Sequence, residues 1–193
     1  MHAPASNTDF GEKYRNKNPL AQYLINNFYR TLEKLIKGTS PASILEVGCG
    51  EGYSTNRIIN MLGSPVNYVA VDIEPHLLSE TQKRNPKIDV QCASILELPY
   101  ADKSFDLVIC LEVLEHLDAP SSGLRELCRV SKSNLLLSVP HEPFFRIAQM
   151  LRGKNLTRLG NDEDHKQNWS RRAFKAFLKE QVNIAEHLQP FPW

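Results

Sequence analysis

From residue 43 onward, short apolar runs alternate with longer segments in which apolar positions recur every three or four residues. The runs predict strands near 43–48, 67–72, 88–92, 105–111 and 134–139, and the longer segments predict helices near 53–62, 75–84 and 119–131. Strands that alternate with helices in this way form a parallel sheet covered on both faces. Upstream, Asn18-Pro19 is a helix start, and Leu20, Tyr23, Leu24, Phe28, Leu32, Leu35 and Ile36 make a helical stripe that stops at Gly38. Downstream, Ser170 caps a last helix over 170–180 with Phe174, Phe177 and Leu178 inward, and a final strand is expected near 182–188. The fold class is therefore α/β: a Rossmann-like, doubly wound, mostly parallel sheet of about six strands with helices on both faces.

Right-handed crossovers bring the C-terminal ends of such strands to one edge of the sheet. Glu46, Asp72, Ser94 and Glu112 all fall near that edge, where open α/β sheets bind ligands. Residues 1–17 lack an apolar period and are expected to form a mobile arm, with closure of a pocket by Tyr14 the less favoured reading. Residues 18–193 then make a single domain. Within it, 141–169 is read as an insertion or lid over the substrate site. There Phe144, Ile147, Ala148 and Leu151 share one helical face and Arg146, Gln149 and Arg152 the other. That apolar face is expected to pack on the domain; the alternative is a lid that meets an apolar or lipid-like substrate, even at an anionic membrane surface.

The most informative stretch is Ser43-Ile-Leu-Glu-Val-Gly-Cys-Gly-Glu-Gly-Tyr53. A strand passes through alternate glycines, Gly48, Gly50 and Gly52, into a helix, which lets a ligand approach exposed backbone amides. The spacing is not the dinucleotide pattern, and no Lys-Ser/Thr follows, so a phosphate cradle is disfavoured. Glu46, just ahead of the turn, would repel a pyrophosphate but suits a cationic amine. Asp72 closes the run Tyr68-Val-Ala-Val71 and can accept both hydroxyls of a ribose; its alternative role is to cap the helix that starts near Pro75.

Glu46-Val-Gly-Cys-Gly-Glu-Gly52, Val71-Asp72 and Phe105-Asp106-Leu-Val-Ile-Cys-Leu-Glu-Val-Leu-Glu-His116 together resemble the motifs of class I S-adenosylmethionine-dependent methyltransferases, in the broad small-molecule (type 11-like) branch. The resemblance covers roughly residues 40–140. It implies S-adenosylmethionine as cofactor and S-adenosylhomocysteine as product. It further implies that Gly48, Gly50 and Gly52 line the methionyl and ribose region, with Glu46 acting on the ammonium directly or through the turn. Asp72 would take the ribose hydroxyls, and Ile73, Ser94, Ile95 and Leu111 complete the expected cofactor contacts. Many relatives carry an acid where this chain has Ser94, and a seventh antiparallel strand for which no segment is evident here. Six strands leave an edge exposed, to be covered by a partner chain such as a second copy, by the Pro-rich tail, or by residues missing from a truncated end.

Composition narrows the partners more than the fold. With 41% hydrophobic and 23% charged residues and a net charge of +1, nothing favours nucleic acid or an anionic membrane globally. No secretory signal or transmembrane run is visible, and Cys49, Cys92, Cys110 and Cys128 show no paired spacing, so reduced core cysteines and a cytoplasmic setting are expected.

The expected chemistry is methyl transfer to a small molecule, most simply at a hydroxyl oxygen. His116 and Glu112 are the candidate proton acceptors, with His141 a weaker one. His116 as a structural cap is an equal alternative. Glu112-x-x-Glu115-His116, followed by Asp164-His165-Lys166 and Trp169, also resembles the metal-binding pattern of small-RNA 2′-O-methyltransferases and some ubiquinone-pathway O-methyltransferases. Glu112, Glu115, His116 and His165 would then hold a divalent ion, an arrangement not favoured here. The alternatives are a metal-assisted O-methyltransferase on quinone-like or RNA-terminal hydroxyls, and a non-catalytic cofactor-binding domain that works through a partner.

Overall fold

The computed structural model describes residues 11–63, 66–141 and 165–190. Five strands form one sheet: β1 (Ser43–Val47), β2 (Asn67–Asp72), β3 (Asp89–Cys92), β4 (Phe105–Leu111) and β5 (Ser131–Ser138). Their order is β3-β2-β1-β4-β5, and every neighbouring pair is parallel. Among the described residues six α-helices accompany them: α1 (Glu12–Arg15), α2 (Pro19–Lys37), α3 (Tyr53–Leu62), α4 (Pro75–Arg84), α5 (Pro120–Val130) and α6 (Arg171–Lys179). After β1 the chain builds outward through β2 and β3, then returns to place β4 on the other flank of β1. A crevice forms at that reversal, outside the carboxyl ends of β1 and β4.

Side-chain parity divides the core in two. Ile44, Tyr68, Ala70, Leu107 and Ile109 face α2, α3 and Leu78 of α4. Leu45, Val47, Val69, Val71, Val108 and Cys110 face α5 and α6. Each fully buried Leu or Ile among them contributes roughly 1.5–3 kcal/mol, so both layers hold the sheet edge rigidly beneath the site.

Three expectations change. The stripe of α2 that is buried runs through Ile25, Tyr29, Leu32 and Ile36, whereas Leu20 and Tyr23 are exposed, at 66% and 59%. The helix is rotated relative to the sequence reading because Tyr29 and Ile25 also reach the crevice. Residues 182–190 pack beside β5 without pairing, so among the described residues the sheet has five strands and not six. Cys92 is exposed, while Cys49 and Cys110 are buried; all four thiols are free.

Of the arm expected over 1–17, residues 12–15 form the short α1, and Gly11 just ahead of it meets the glycine turn: Gly11 N donates to Glu51 Oε1 at 3.2 Å. The helix read near 144–152, most of the expected lid, and Asp164 lie outside the described residues. Among the described residues no helix is long and apolar enough to cross a membrane.

Candidate functional site

A cavity of about 550 Å³ opens at the crevice. Its walls come from the turn after β1 (Gly48 to Tyr53), the ends of β2 and β3, the segment after β4, and α1 and α2.

The β1 turn is shaped by backbone constraints that the sequence anticipates. Gly48 has φ +80°, and a Cβ there would stand 2.2 Å from Val113 Cγ2. Gly52 caps α3 at φ +76°, where a Cβ would stand 2.6 Å from Asn85 Nδ2. Both positions therefore exclude side chains for conformational and steric reasons at once. Gly48 N and Cys49 N donate to Val71 O, at 2.8 and 3.1 Å, which sews the turn to the end of β2.

Asp72 sits at that strand end. Its Oδ2 accepts from Gly50 N at 2.8 Å, and its Oδ1 accepts from Glu74 N at 3.0 Å. Burial pushes its carboxyl above the ordinary value of 3.8, and these backbone donors oppose the shift without cancelling it. Each oxygen keeps a lone pair for a ligand in the cavity that Asp72 lines. The neighbouring Ile73 is 63% exposed and Leu96 is 48% exposed, two apolar side chains on the same wall that await cover. Ile95 and Ser94 complete it; Ser94 Oγ accepts from Leu96 N at 3.2 Å and so shapes its own loop.

Glu46 is placed differently from one of its expected roles. Strand parity turns it toward α2, beneath the turn and not into the cavity. It is 2% exposed and accepts from Ser54 Oγ at 2.7 Å, Thr55 Oγ1 at 2.6 Å and Tyr68 OH at 2.8 Å. Burial raises its carboxyl above the ordinary 4.5, and the three hydroxyls offset part of that rise. Any effect on a ligand must therefore run through the turn. Gly52 likewise stands behind the cavity, while Gly48, Gly50, Asp72, Ile73, Ser94, Ile95 and Leu111 line it.

The β4 side carries Glu112, Val113, His116 and Leu117. Glu112 has φ +58°, a left-handed conformation that costs a non-glycine residue about 1 kcal/mol or more. It is held there by Glu112 N to Ser138 O and by Ser138 Oγ to Glu112 Oε1, each 3.0 Å. A 3₁₀ turn, Leu114–His116, then delivers His116 to the cavity and buries Glu115. Residues 165–169 dock on this turn: Lys166 N and Gln167 N both donate to Glu115 O at 2.9 Å, and Lys166 Nζ pairs with Asp118 at 2.5 Å. The docking brings His165 to His116, ring centroids 5.0 Å apart. Ligand atoms of Glu115, His116 and His165 lie within 4.8 Å of one another. Glu112 is not part of that group, so three of the four residues anticipated for a metal converge. His141 lies elsewhere, in a second cavity of about 590 Å³ beside β5, with Nδ1 at 2.9 Å from Gln189 Nε2.

Several wall residues escaped the sequence reading. Ile25, Tyr29, Leu77 and Leu117 line the site from helices or the segment after β4. Tyr29 was legible as a polar-tipped aromatic four residues after Ile25. Tyr14 was weighed and set aside, yet its ring stacks on Tyr53 at 4.9 Å and its hydroxyl meets Tyr29 OH at 2.8 Å.

Comparison with known proteins agrees with this geometry. Residues 45–138 match the family model described as a methyltransferase domain. A probable S-adenosylmethionine-dependent methyltransferase of Mycobacterium tuberculosis is 31% identical over 71% of this chain and 49% of its own length. An O-methyltransferase of Aspergillus sclerotiorum is 31% identical over 50% of this chain and 38% of its own. The chain thus spans about half or less of these relatives. Among solved structures, the plantazolicin methyltransferase BpumL, in complex with a triazolic desmethylPZN analog and S-adenosylhomocysteine, superposes with a TM-score of 0.69 at 17% identity, covering 88% of this chain and 66% of that one.

Proposed function

We propose that the chain is a class I S-adenosylmethionine-dependent methyltransferase and that it transfers the cofactor's methyl group to a hydroxyl oxygen of a small-molecule acceptor. The observation that carries the reading is the pairing of Asp72 with the glycine turn across the mouth of one cavity, with Glu112 and His116 on the facing wall. The residues present fit the cofactor: a carboxylate with spare lone pairs for the ribose, exposed Ile73 and Leu96 for the adenine, and the Gly48–Gly50 backbone for the methionyl end.

S-adenosylmethionine supplies a methyl group on a sulfonium sulfur, already an activated leaving group. Transfer forms an O–CH₃ bond and breaks S–CH₃ with its electron pair left on sulfur, and the acceptor's proton must leave. Glu112 and His116 are the side chains of the β4 wall suited to take it; Lys166, on the same side, is engaged with Asp118. The apolar remainder of the wall, with Tyr14, Phe28 and Tyr29, excludes water and holds an acceptor in place. Such positioning alone supplies roughly 7–11 kcal/mol. The O-methyltransferase relative supports oxygen as the acceptor atom.

The test uses cofactor carrying an isotopically labelled methyl group, added with the protein to a cell extract, followed by identification of the labelled product. A labelled small molecule bearing an O–CH₃ group is expected; label on nitrogen or carbon only, or in ribonuclease-sensitive material, overturns the assignment of the acceptor.

A second reading draws on the convergence of Glu115, His116 and His165. Two imidazoles and a carboxylate suit a divalent ion such as zinc, iron or manganese, which would lower the pKa of a bound hydroxyl. His116 would then be a ligand, and Glu112 would remain to accept the proton. Activity that survives exhaustive chelation eliminates this version.

A further inference from the structure

Three successive carbonyls of the glycine turn are held by side chains from the end of a single helix. Thr81 Oγ1 donates to Gly50 O at 2.6 Å, Arg84 Nε to Glu51 O at 3.0 Å, and Asn85 Nδ2 to Gly52 O at 3.0 Å. Thr81 is fully buried and Asn85 is 4% exposed. Asn85 Nδ2 also reaches Thr81 O at 3.2 Å, and Asn85 Oδ1 accepts from Asn56 Nδ2 at 3.2 Å, so the amide is fixed from both ends. The Arg84 guanidinium lies 3.7 Å from the centre of the Tyr53 ring, which also stacks on Tyr14. None of Thr81, Arg84 and Asn85 lines the cavity.

We infer that Thr81, Arg84 and Asn85 are positioning residues for the cofactor, acting through the turn they grip from behind. The inference rests on the methyl-transfer reading of the cavity. A turn rich in glycine has much conformational freedom to lose when a ligand orders it. Pinning three consecutive carbonyls before the ligand arrives removes that cost from the binding step, which is how preorganisation raises affinity. The geometry also fixes which way the amides point. With Gly50 O held by Thr81 and Gly50 N held by Asp72, both peptide planes around Gly50 are set, one from α4 and one from the end of β2. Helix α4 thereby ties the turn after β1 to the strand end after β2, the two halves of the expected cofactor site. The tight fit is consistent with this: the Cα of Gly52 packs so closely on Asn85 and Thr81 that no side chain could intervene.

The experiment is calorimetric titration of the chain with S-adenosylhomocysteine, for the unaltered protein and for Thr81→Val, Thr81→Ser, Arg84→Met and Asn85→Asp, with thermal melts alongside. Thr81→Val keeps the shape and removes the donor; Arg84→Met keeps the stem and, being partly exposed, tolerates the change whether or not the buried sites do. Expected are affinities about tenfold weaker for Thr81→Val, Arg84→Met and Asn85→Asp, recovery to within about twofold for Thr81→Ser, and faster hydrogen exchange at the Gly50–Tyr53 amides in the weakened variants. A purely structural role would lower the melting temperature and leave the affinity of the folded fraction unchanged. Affinities within about twofold of the unaltered protein in Thr81→Val and Arg84→Met overturn the inference while leaving the functional reading intact. An unaltered protein that does not bind S-adenosylhomocysteine overturns both.

Discussion

The amide of Gly50 donates to Asp72 Oδ2 at 2.8 Å although 22 residues separate them in the chain. The contact joins the turn after β1 to the end of β2 and aims a half-buried carboxylate across the cavity mouth. Asp72→Asn retains one acceptor oxygen and replaces the other by a donor that opposes an amide. S-adenosylhomocysteine affinity is expected to fall by at least about tenfold, measured by calorimetry, with the fold preserved in circular dichroism.

The same residue makes binding sensitive to acid. Because burial holds the Asp72 carboxyl above 3.8, protonation begins at a higher pH than for an exposed aspartate. Cofactor affinity, which needs the ionised form, is expected to decline as the pH falls through that raised value, and the Asp72→Asn variant is expected to lack that decline. A pH series of calorimetric titrations checks it.

Glu46 governs stability in the opposite sense to a salt-bridged carboxylate. Its folded-state pKa lies above 4.5, so the stability it contributes is complete below the unfolded value and is lost as the pH rises through the folded one. Glu46→Gln is expected to flatten that fall in urea unfolding at a series of pH values. Glu46→Ala strands the buried hydroxyls of Thr55 and Tyr68 and the half-buried one of Ser54, and is expected to cost about 3 kcal/mol or more.

Gly48→Ala combines a clash with Val113 Cγ2 and a backbone at φ +80°. A loss of about 2–4 kcal/mol in stability and of measurable cofactor binding is expected. Adding Val113→Ala relieves the clash but not the backbone strain, so chemical unfolding is expected to show partial recovery only.

If the second reading holds, zinc or cobalt binds the chelator-treated protein with one equivalent, and His165→Ala weakens that binding at least about tenfold. Calorimetry with the metal alone measures it, and cobalt absorption reports imidazole ligation. Binding that His165→Ala leaves unchanged assigns the metal elsewhere.

Short apolar runs, a glycine turn between strand and helix, and an acid at a strand end are local features, and each was legible from the chain alone. They determined the parallel sheet, the edge at which the cavity opens, and Gly48, Gly50 and Asp72 as part of its wall, because backbone geometry restricts which residues can stand at those positions. Parity even held the clue to Glu46, since Ile44 and Glu46 share the face toward α2. What the tertiary structure alone decided depends on partners far along the chain. Thr81 and Asn85 reach the turn from some 30 residues away, Gln167 and Lys166 bring His165 to Glu115 across about 50, and α2 turns Ile25 and Tyr29 inward instead of Leu20 and Tyr23. Residues 182–190 have strand-like composition but find no pairing neighbour among the described residues. A residue's period fixes the face it occupies on its own element; which group meets that face is set by how the elements pack, and packing is a property of the whole chain.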